Sequence, residues 1–289
     1  MEQQNNEALI RLLDDPDELV FEAVSKKIQE MGPGLLPDLE NAARGAMAPE
    51  LHERLERIIR LLQFNQLKDE LKAWIHRPFP RLIDGAWLMT RYQFPDISFE
   101  QFSVLIKPVR DEIWLEISDT LTAIEKTRIM NALLFGKPLF RQNESHPDSP
   151  GNNFINRMLE TGKANEHSML LLYAILAQEL EMPVFIVEMP EYPILAYTDM
   201  PKISADSIGP EFFGVLFYIN PTDKGTLHSR SDITGYLTRH SLPPDPKFYE
   251  PKGNAEFIRI CLKRLAHDYQ ASGSEFRNLQ VRELLTLWK

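Results

Sequence analysis

The sequence predicts an α+β fold in which helices precede and follow a small antiparallel sheet. Apolar residues recur three and four positions apart through 1–75 and 83–135, which is the spacing of amphipathic helices. Three short runs rich in β-branched and aromatic residues follow at 183–187, 194–197 and 213–219, separated by Pro, Asp and Gly, and they are typical of strands. Helical spacing then returns at the C-terminus. Helices that lead into consecutive short strands favour the α+β class over a parallel α/β fold.

Composition and charge limit the class of protein. Of the 289 residues, 43% are hydrophobic and 26% are charged, which is ordinary for a globular chain and excludes a disordered one. No apolar run is long enough to span a membrane, and the acidic start lacks the parts of a secretory signal, so we expect a cytoplasmic protein that does not bind membranes. The net charge of −10 disfavours nucleic-acid binding. The single cysteine excludes an intramolecular disulfide and a multi-cysteine zinc site.

The N-terminal region 1–75 is predicted to contain four helices. Pro16 and a Gly-Pro-Gly stop interrupt the pattern, and the third and fourth helices are expected at about 35–44 and 49–63. The acidic stretch 14–17 lacks the glycine and the distal glutamate of an EF-hand loop. This stretch is therefore interpreted as a turn with a helix cap and not as a calcium site.

Residues 12–32 resemble one unit of a HEAT repeat. The features that carry this resemblance are a leucine pair, an Asp-Pro turn, a helix with Val and Ala on its inner face, and a final glycine. A single such unit cannot cover its own apolar face. We therefore expect Val20, Val24 and Leu55 to form an open stripe, by which residues 1–75 pack on the rest of the chain.

The remainder of the chain is predicted to form a core at 83–239 and a closing helix pair at 254–289. Two prolines within 76–80 indicate a linker before the core. Other segments follow from composition, namely a loop at 136–151, a short helix at 153–160, a strongly apolar central helix at 166–180 and a proline-rich tether at 240–253.

From about residue 83 onwards, the order of features resembles the SirB-type branch of the transglutaminase-like superfamily. The segments that carry the resemblance are FEQFSVLIKPVRDEI (99–113), ALLFGKPLFRQN (132–143), SPGNNFINRMLETGKA (149–164), EHSMLLLYAILAQELEMPVFIV (166–187) and FYINPTDKGTLHS (217–229). The C-terminal helix pair resembles a tetratricopeptide-like tail. The resemblance implies a central helix packed on a small antiparallel sheet.

Enzymes of this superfamily use a Cys-His-Asp arrangement. The cysteine starts the central helix, the histidine acts as the base, and the aspartate orients the histidine. Carried across position by position, the cysteine falls on Glu166, the histidine on Tyr192 and the aspartate on Asn220. The resemblance therefore implies that all three catalytic residue types are replaced, and no catalytic residue is expected.

The chemistry of the three replacements agrees with that expectation. The Glu166 carboxylate cannot replace a thiolate in acyl transfer, and a tyrosine hydroxyl such as that of Tyr192 is a poor general base at neutral pH. We expect Glu166 at the start of the central helix, with Tyr192 and Asn220 on neighbouring strands that face it. Hydrogen bonds from Tyr192 to Glu166 and between Asn220 and Tyr192 would make a satisfied polar cluster.

Four other residues are candidates for chemistry. Cys261 lies among apolar residues at helical core spacing, which indicates a small buried hydrophobe. His167 follows Glu166 directly, and side chains of successive helical residues point about 100° apart, so His167 is expected to be packed or at the surface. His228 has no second histidine at ligand spacing, and Ser168 lacks the G-x-S-x-G elbow of a hydrolase.

The leading functional hypothesis is a non-catalytic scaffold or interaction module that binds protein partners and needs no cofactor or metal. Two alternatives stay open. One is a sensor that binds a peptide or small ligand in the degenerate cleft, and the other is a hydrolase of altered chemistry that uses Glu166. The sequence does not decide whether Glu166, Tyr192 and Asn220 converge on an open pocket or fill it.

Overall fold

The α+β class is confirmed by the structure, a computed structural model that is 66% helical and contains a four-stranded antiparallel sheet. It describes residues 2–136, 140–200 and 213–288, with side chains described from residue 6. The chain divides into two compact units, residues 1–72 and residues 73–289. Part of the predicted loop 136–151, residues 137–139, lies outside the described residues.

The first unit consists of helices α1 (Glu2–Arg11), α2 (Glu18–Met31) and α3 (Leu36–Gly45) and most of α4 (Pro49–Ile75). The acidic stretch before α2 is a turn with a cap, as predicted, because Asp17 accepts the Leu19 N–H at 2.9 Å. Gly32 ends α2 with a φ of 81°. The fourth helix continues well past the predicted end at residue 63.

The first unit has a hydrophobic core of its own. Leu55 and Val24 are buried in a cluster whose members all lie within residues 13–62, and Val20 packs against that cluster. The expectation that these three residues form an open stripe is therefore wrong. The helices turn their apolar faces towards one another, so the stripe is covered locally.

The helices of the second unit are α5 (Leu82–Arg91), α6 (Phe99–Glu116), α7 (Ala123–Phe135), α8 (Ile155–Thr161), α9 (Glu166–Glu179), α10 (Arg230–Arg239), α11 (Asn254–Ala271) and α12 (Glu275–Leu285). Ser98 and Thr122 cap α6 and α7 through reciprocal capping boxes. Helix α9 is the central helix of the unit, and ten of its residues are buried. It is apolar on every side because it packs against helices and the sheet at once.

The four strands of the sheet lie side by side in the order β3 (Val184–Val187), β4 (Ile194–Thr198), β5 (Val215–Asn220) and β6 (Thr226–His228). Each strand is antiparallel to its neighbours. The first three of these strands lie where the sequence predicts them. The sequence analysis did not predict β6 or α10. A Ser229–Asp232 capping box marks the start of α10 and was the available signal.

Two further short strands lie before α9. β1 (Arg141–Gln142) pairs in parallel with β2 (Lys163–Ala164). The prediction that the whole of 136–151 is loop is therefore wrong at these two residues. Strands of this length carry no readable alternation, so their pairing depends on the partner segment.

The C-terminal helix pair is confirmed as α11 and α12. Helix α11 contacts α5, α9 and β3, and it belongs to the same compact unit as the sheet. Its buried face includes Phe257, Cys261 and Leu265, which follow one another at helical spacing. Helix α11 thus supplies side chains to the surroundings of α9.

Gly225 holds the turn between β5 and β6, and its replacement tests that turn. Its φ is 76°, and an added Cβ would collide with the Asn131 amide, which donates to the Gly225 carbonyl at 2.7 Å. We expect Gly225→Ala to lower the free energy of unfolding by about 2–3 kcal/mol, measured by urea denaturation. Gly273 has a similar φ of 73° with no atom near a Cβ, so Gly273→Ala is the matched control, at about 1 kcal/mol. Equal losses in the two variants would contradict a role for the Asn131 contact.

Candidate functional site

The N-terminus of α9 is built by a capping box. The Asn165 side chain accepts the Ser168 N–H at 2.9 Å, and the Ser168 hydroxyl accepts the Asn165 N–H at 3.1 Å. Glu166 is the first residue of the helix, which confirms that it starts the central helix. The positive end of the helix dipole favours a carboxylate at this position. Ser168 is buried and engaged in capping, as expected for an ordinary first-turn serine.

The Glu166 carboxylate is paired with an arginine from α11. Its Oε2 atom lies 3.6 Å from Nη1 of Arg264, and both side chains are partly exposed. The same guanidinium donates through Nε to Asp268 at 2.8 Å and through Nη2 to Asp148 at 3.3 Å. One arginine of α11 therefore joins the start of α9 to the loop between β1 and α8.

Asp268 is fully buried, and asparagines complete its surroundings. The Asn153 side chain donates to its Oδ2 at 2.7 Å, and the Asn165 side chain donates to the amide oxygen Oδ1 of Asn153 at 2.9 Å. The Asn152 side chain donates to the His146 backbone carbonyl at 2.8 Å, in the loop that also contains Asp148. Sequence reasoning missed this network. Its signals were the adjacent asparagines at 152–153 and the Arg-Asp pair one helical turn apart on α11.

Tyr192 lies in the loop between β3 and β4 and not on a strand. It packs with Ile194 and Ala196 against the cluster that includes α10, and its ring lies edge-on to Tyr236 at 6.3 Å between centroids. Helix α9 packs on the other face of the sheet, where burial and the nearby Tyr197 raise the pKa of Tyr173. Tyr192 is therefore on the α10 side of the sheet, away from α9.

Asn220 is the last residue of β5 and is buried. Its Oδ1 accepts the Thr222 N–H at 3.2 Å and the Thr222 hydroxyl at 2.6 Å, which caps the short turn that follows. Within the described part of the chain, no hydrogen bond joins Glu166, Tyr192 and Asn220 to one another. The predicted hydrogen-bonded cluster is therefore not formed, because Glu166 pairs with Arg264, Tyr192 packs against Tyr236 and Asn220 caps its own turn.

The sole cysteine of the chain is enclosed in the interior of the second unit. Cys261 is buried on α11, as predicted, and its burial raises the pKa of the thiol. His228 ends the short edge strand β6.

His167, the second residue of α9, is a titratable side chain whose proton affinity is strongly altered. Burial and, secondarily, the Arg264 charge lower its pKa to about 4. Among the described atoms, its Nδ1 is enclosed without a hydrogen-bond partner. The ring is therefore neutral at pH 7 and packed, as the sequence analysis expected.

Three potential metal ligands meet beside this network, namely Asp148, His267 and Asp268, with ligand atoms within 4.8 Å of one another. The Arg264 guanidinium donates to both carboxylates. Because that guanidinium already supplies the positive charge, these three side chains fit an arginine better than a metal ion.

Among the described helices, none combines the length and apolar character that crossing a bilayer demands.

The second unit is built around a central apolar helix, α9, that packs on a four-stranded antiparallel sheet. The first residue of that helix, Glu166, faces α11. The family model described as the transglutaminase-like superfamily matches residues 100–263, from α6 to the middle of α11. The chain belongs to the transglutaminase-like superfamily. Neither the comparison with curated proteins nor the comparison with solved structures gave a match.

Proposed function

We propose that this protein is a non-catalytic member of the superfamily, of the SirB-type branch, that acts in the cytoplasm as a scaffold or protein-interaction module. In this proposal, Glu166, Tyr192 and Asn220 occupy the positions of the catalytic cysteine, histidine and aspartate. The HEAT-like helices at the N-terminus and the tetratricopeptide-like helices at the C-terminus add binding surface.

The observation that carries the proposal is the pairing of Glu166 with Arg264. An enzyme of this kind keeps a reactive thiolate at the start of the central helix. Here the position holds a carboxylate whose charge is balanced by an arginine that is itself held by the buried Asp268. A carboxylate cannot replace a thiolate in acyl transfer, and its ion pair with Arg264 gives this one a structural role.

The other two positions support the same proposal. The Tyr192 ring is packed against Tyr236 on the opposite face of the sheet from α9, and the Asn220 side chain caps its own turn. No imidazole stands at either position to take a proton from a nucleophile.

Activity assays on the full-length chain test the proposal. We expect amine incorporation, thiol-protease and amidase rates equal to the buffer blank, and the same result for Glu166→Gln. Glu160→Gln, a half-exposed glutamate on α8, is the matched control. Turnover that is lost in Glu166→Gln and kept in Glu160→Gln would overturn the proposal in favour of a hydrolase of altered chemistry.

A further inference from the structure

The strand β3 lies at one edge of the four-stranded sheet, with β4 on one side only. The Thr198 N–H donates to the Pro183 carbonyl at 3.0 Å, so the Pro183 carbonyl faces β4. Backbone groups of successive residues in a strand point to opposite sides, and those of Val184 and Ile186 therefore face away from β4. Unpaired backbone groups at such an edge are a template for pairing with another chain.

Both outward-facing carbonyls of β3 accept hydrogen bonds from other parts of the chain. The Lys252 N–H, in the proline-rich tether, donates to the Ile186 carbonyl at 2.8 Å and forms an isolated antiparallel bridge there. The side-chain amide of Gln178, near the end of α9, donates to the Val184 carbonyl at 2.9 Å. The Val184 N–H turns back to the Met182 carbonyl at 2.8 Å. These outward backbone groups are therefore engaged within the chain.

The tether is fixed on both sides of Lys252. Before it, the backbone carbonyl of the buried Tyr249 accepts the Tyr218 hydroxyl at 3.0 Å. After it, the Asn254 side chain donates to Oε1 of Gln178 at 3.0 Å and accepts from Nε2 of Gln178 at 2.9 Å. The same glutamine thus connects the start of α11 to the β3 edge, and the tether is held against that edge by anchors close to it in the chain.

The sequence of β3 makes its edge prone to pair with an identical edge. The strand is Val-Phe-Ile-Val, and each of its residues is buried. Short segments with β-branched and aromatic residues, no charge and no proline are typical of strands that pair between chains. In an antiparallel pair of two β3 edges, Val184 of one copy lies opposite Ile186 of the other, so their outward backbone groups satisfy one another.

We propose that the tether covers the β3 edge and thereby prevents two copies of the chain from pairing through it. The cover does not itself extend the sheet, because Pro251, directly before Lys252, has no N–H to offer to a further strand. Release of Lys252 alone frees the Ile186 carbonyl, while Tyr249 keeps the tether attached. This inference goes beyond the proposed function, since it concerns the association of the chain with itself.

Lys252→Pro in the full-length chain opens the edge at one backbone atom. It removes the N–H that donates to Ile186 and puts the proline ring in its place. Lys252→Ala is the matched control, because it keeps that N–H and loses only the ion pair with Glu250 at 3.5 Å. By sedimentation velocity, we expect Lys252→Pro to form a dimer whose dissociation constant is at least about tenfold lower than that of Lys252→Ala.

A second variant opens the same edge without a proline. Gln178→Ala removes the donor to the Val184 carbonyl, and we expect it also to tighten dimerisation by about tenfold. Gln270→Ala, at an exposed glutamine of α11, is its matched control and should stay monomeric. Hydrogen exchange then locates the contact between the copies. The peptide that covers β3 should exchange at least about tenfold more slowly in the dimer than in the monomer of the same variant.

Several outcomes would overturn the role of the tether. The first is a Lys252→Pro chain that keeps the near-UV circular dichroism of the unmodified chain and stays monomeric. If Lys252→Pro does not fold, a monomeric Gln178→Ala chain overturns the role instead. Equal association of Lys252→Pro and Lys252→Ala would show that the backbone donor does not close the edge. A dimer in which exchange of the β3 peptide is unchanged would place the contact elsewhere and overturn the role as well.

Discussion

Arg264→Ala is expected to lower the free energy of unfolding by about 3 kcal/mol. The substitution leaves Asp268, which is fully buried, without the Nε donor at 2.8 Å and without the arginine charge, while His267 and Asn153 stay beside it. It also removes the ion pair to Glu166 and the hydrogen bond to Asp148. Urea denaturation followed by circular dichroism measures the loss.

The control for this prediction is an arginine of the same unit whose ion pair is exposed. Arg157 pairs with Glu160 at 2.9 Å, and both side chains are about half exposed, so Arg157→Ala should change stability by about 0.5 kcal/mol or less. Adding Asp268→Asn to Arg264→Ala should recover part of the loss, because it removes the uncompensated buried charge. A loss in Arg264→Ala no larger than that of the control would show that the network contributes nothing to stability.

Acidification is expected to destabilise the protein by up to about 3 kcal/mol through His167 alone. The folded-state pKa of His167 is lowered to about 4 from 6.5, chiefly by burial and then by Arg264. Between these values the unfolded chain binds more protons than the folded chain. The stability that depends on neutral His167 is therefore complete above about pH 6.5 and declines as the pH falls towards 4.

The pH prediction is checked by the difference between two urea series. His167→Gln removes the titrating group, so its stability should fall less than that of the unmodified chain between pH 6.5 and 4. His146 is exposed, and His146→Gln is the matched control that should keep the full decline. Parallel curves for the unmodified chain and His167→Gln would contradict the burial of a neutral imidazole at this position.

Many local features of this fold could be predicted from the sequence because neighbouring residues produce them. The Asp17 cap, the start of the central helix at Glu166 and the three strands of the sheet follow from capping chemistry, apolar spacing and β-branched runs. Where local signals are short or weak, the prediction was incomplete. The strand β6 has three residues, and β1 has two, so neither shows a readable period.

The candidate site depended on contacts that no local pattern contains. Position-by-position resemblance identified Glu166, Tyr192 and Asn220, but the partner of Glu166 is Arg264, on a helix that follows the sheet. Side-chain alternation and the short turn before β4 place Tyr192 against Tyr236 instead of near α9. The buried Asp268 and its asparagines likewise come from three separate segments of the chain.

By itself, the sequence determined the α+β class, the central apolar helix and the buried cysteine, because these depend on composition and on spacing within single elements. The tertiary structure alone decided which charges meet at the start of that helix. It also decided that the first unit covers its own apolar stripe around Leu55 and that Trp114 and Leu115 stay exposed. The physical reason is that pairing and burial depend on the packing of distant elements, whereas periodicity reports only which face of an element is apolar.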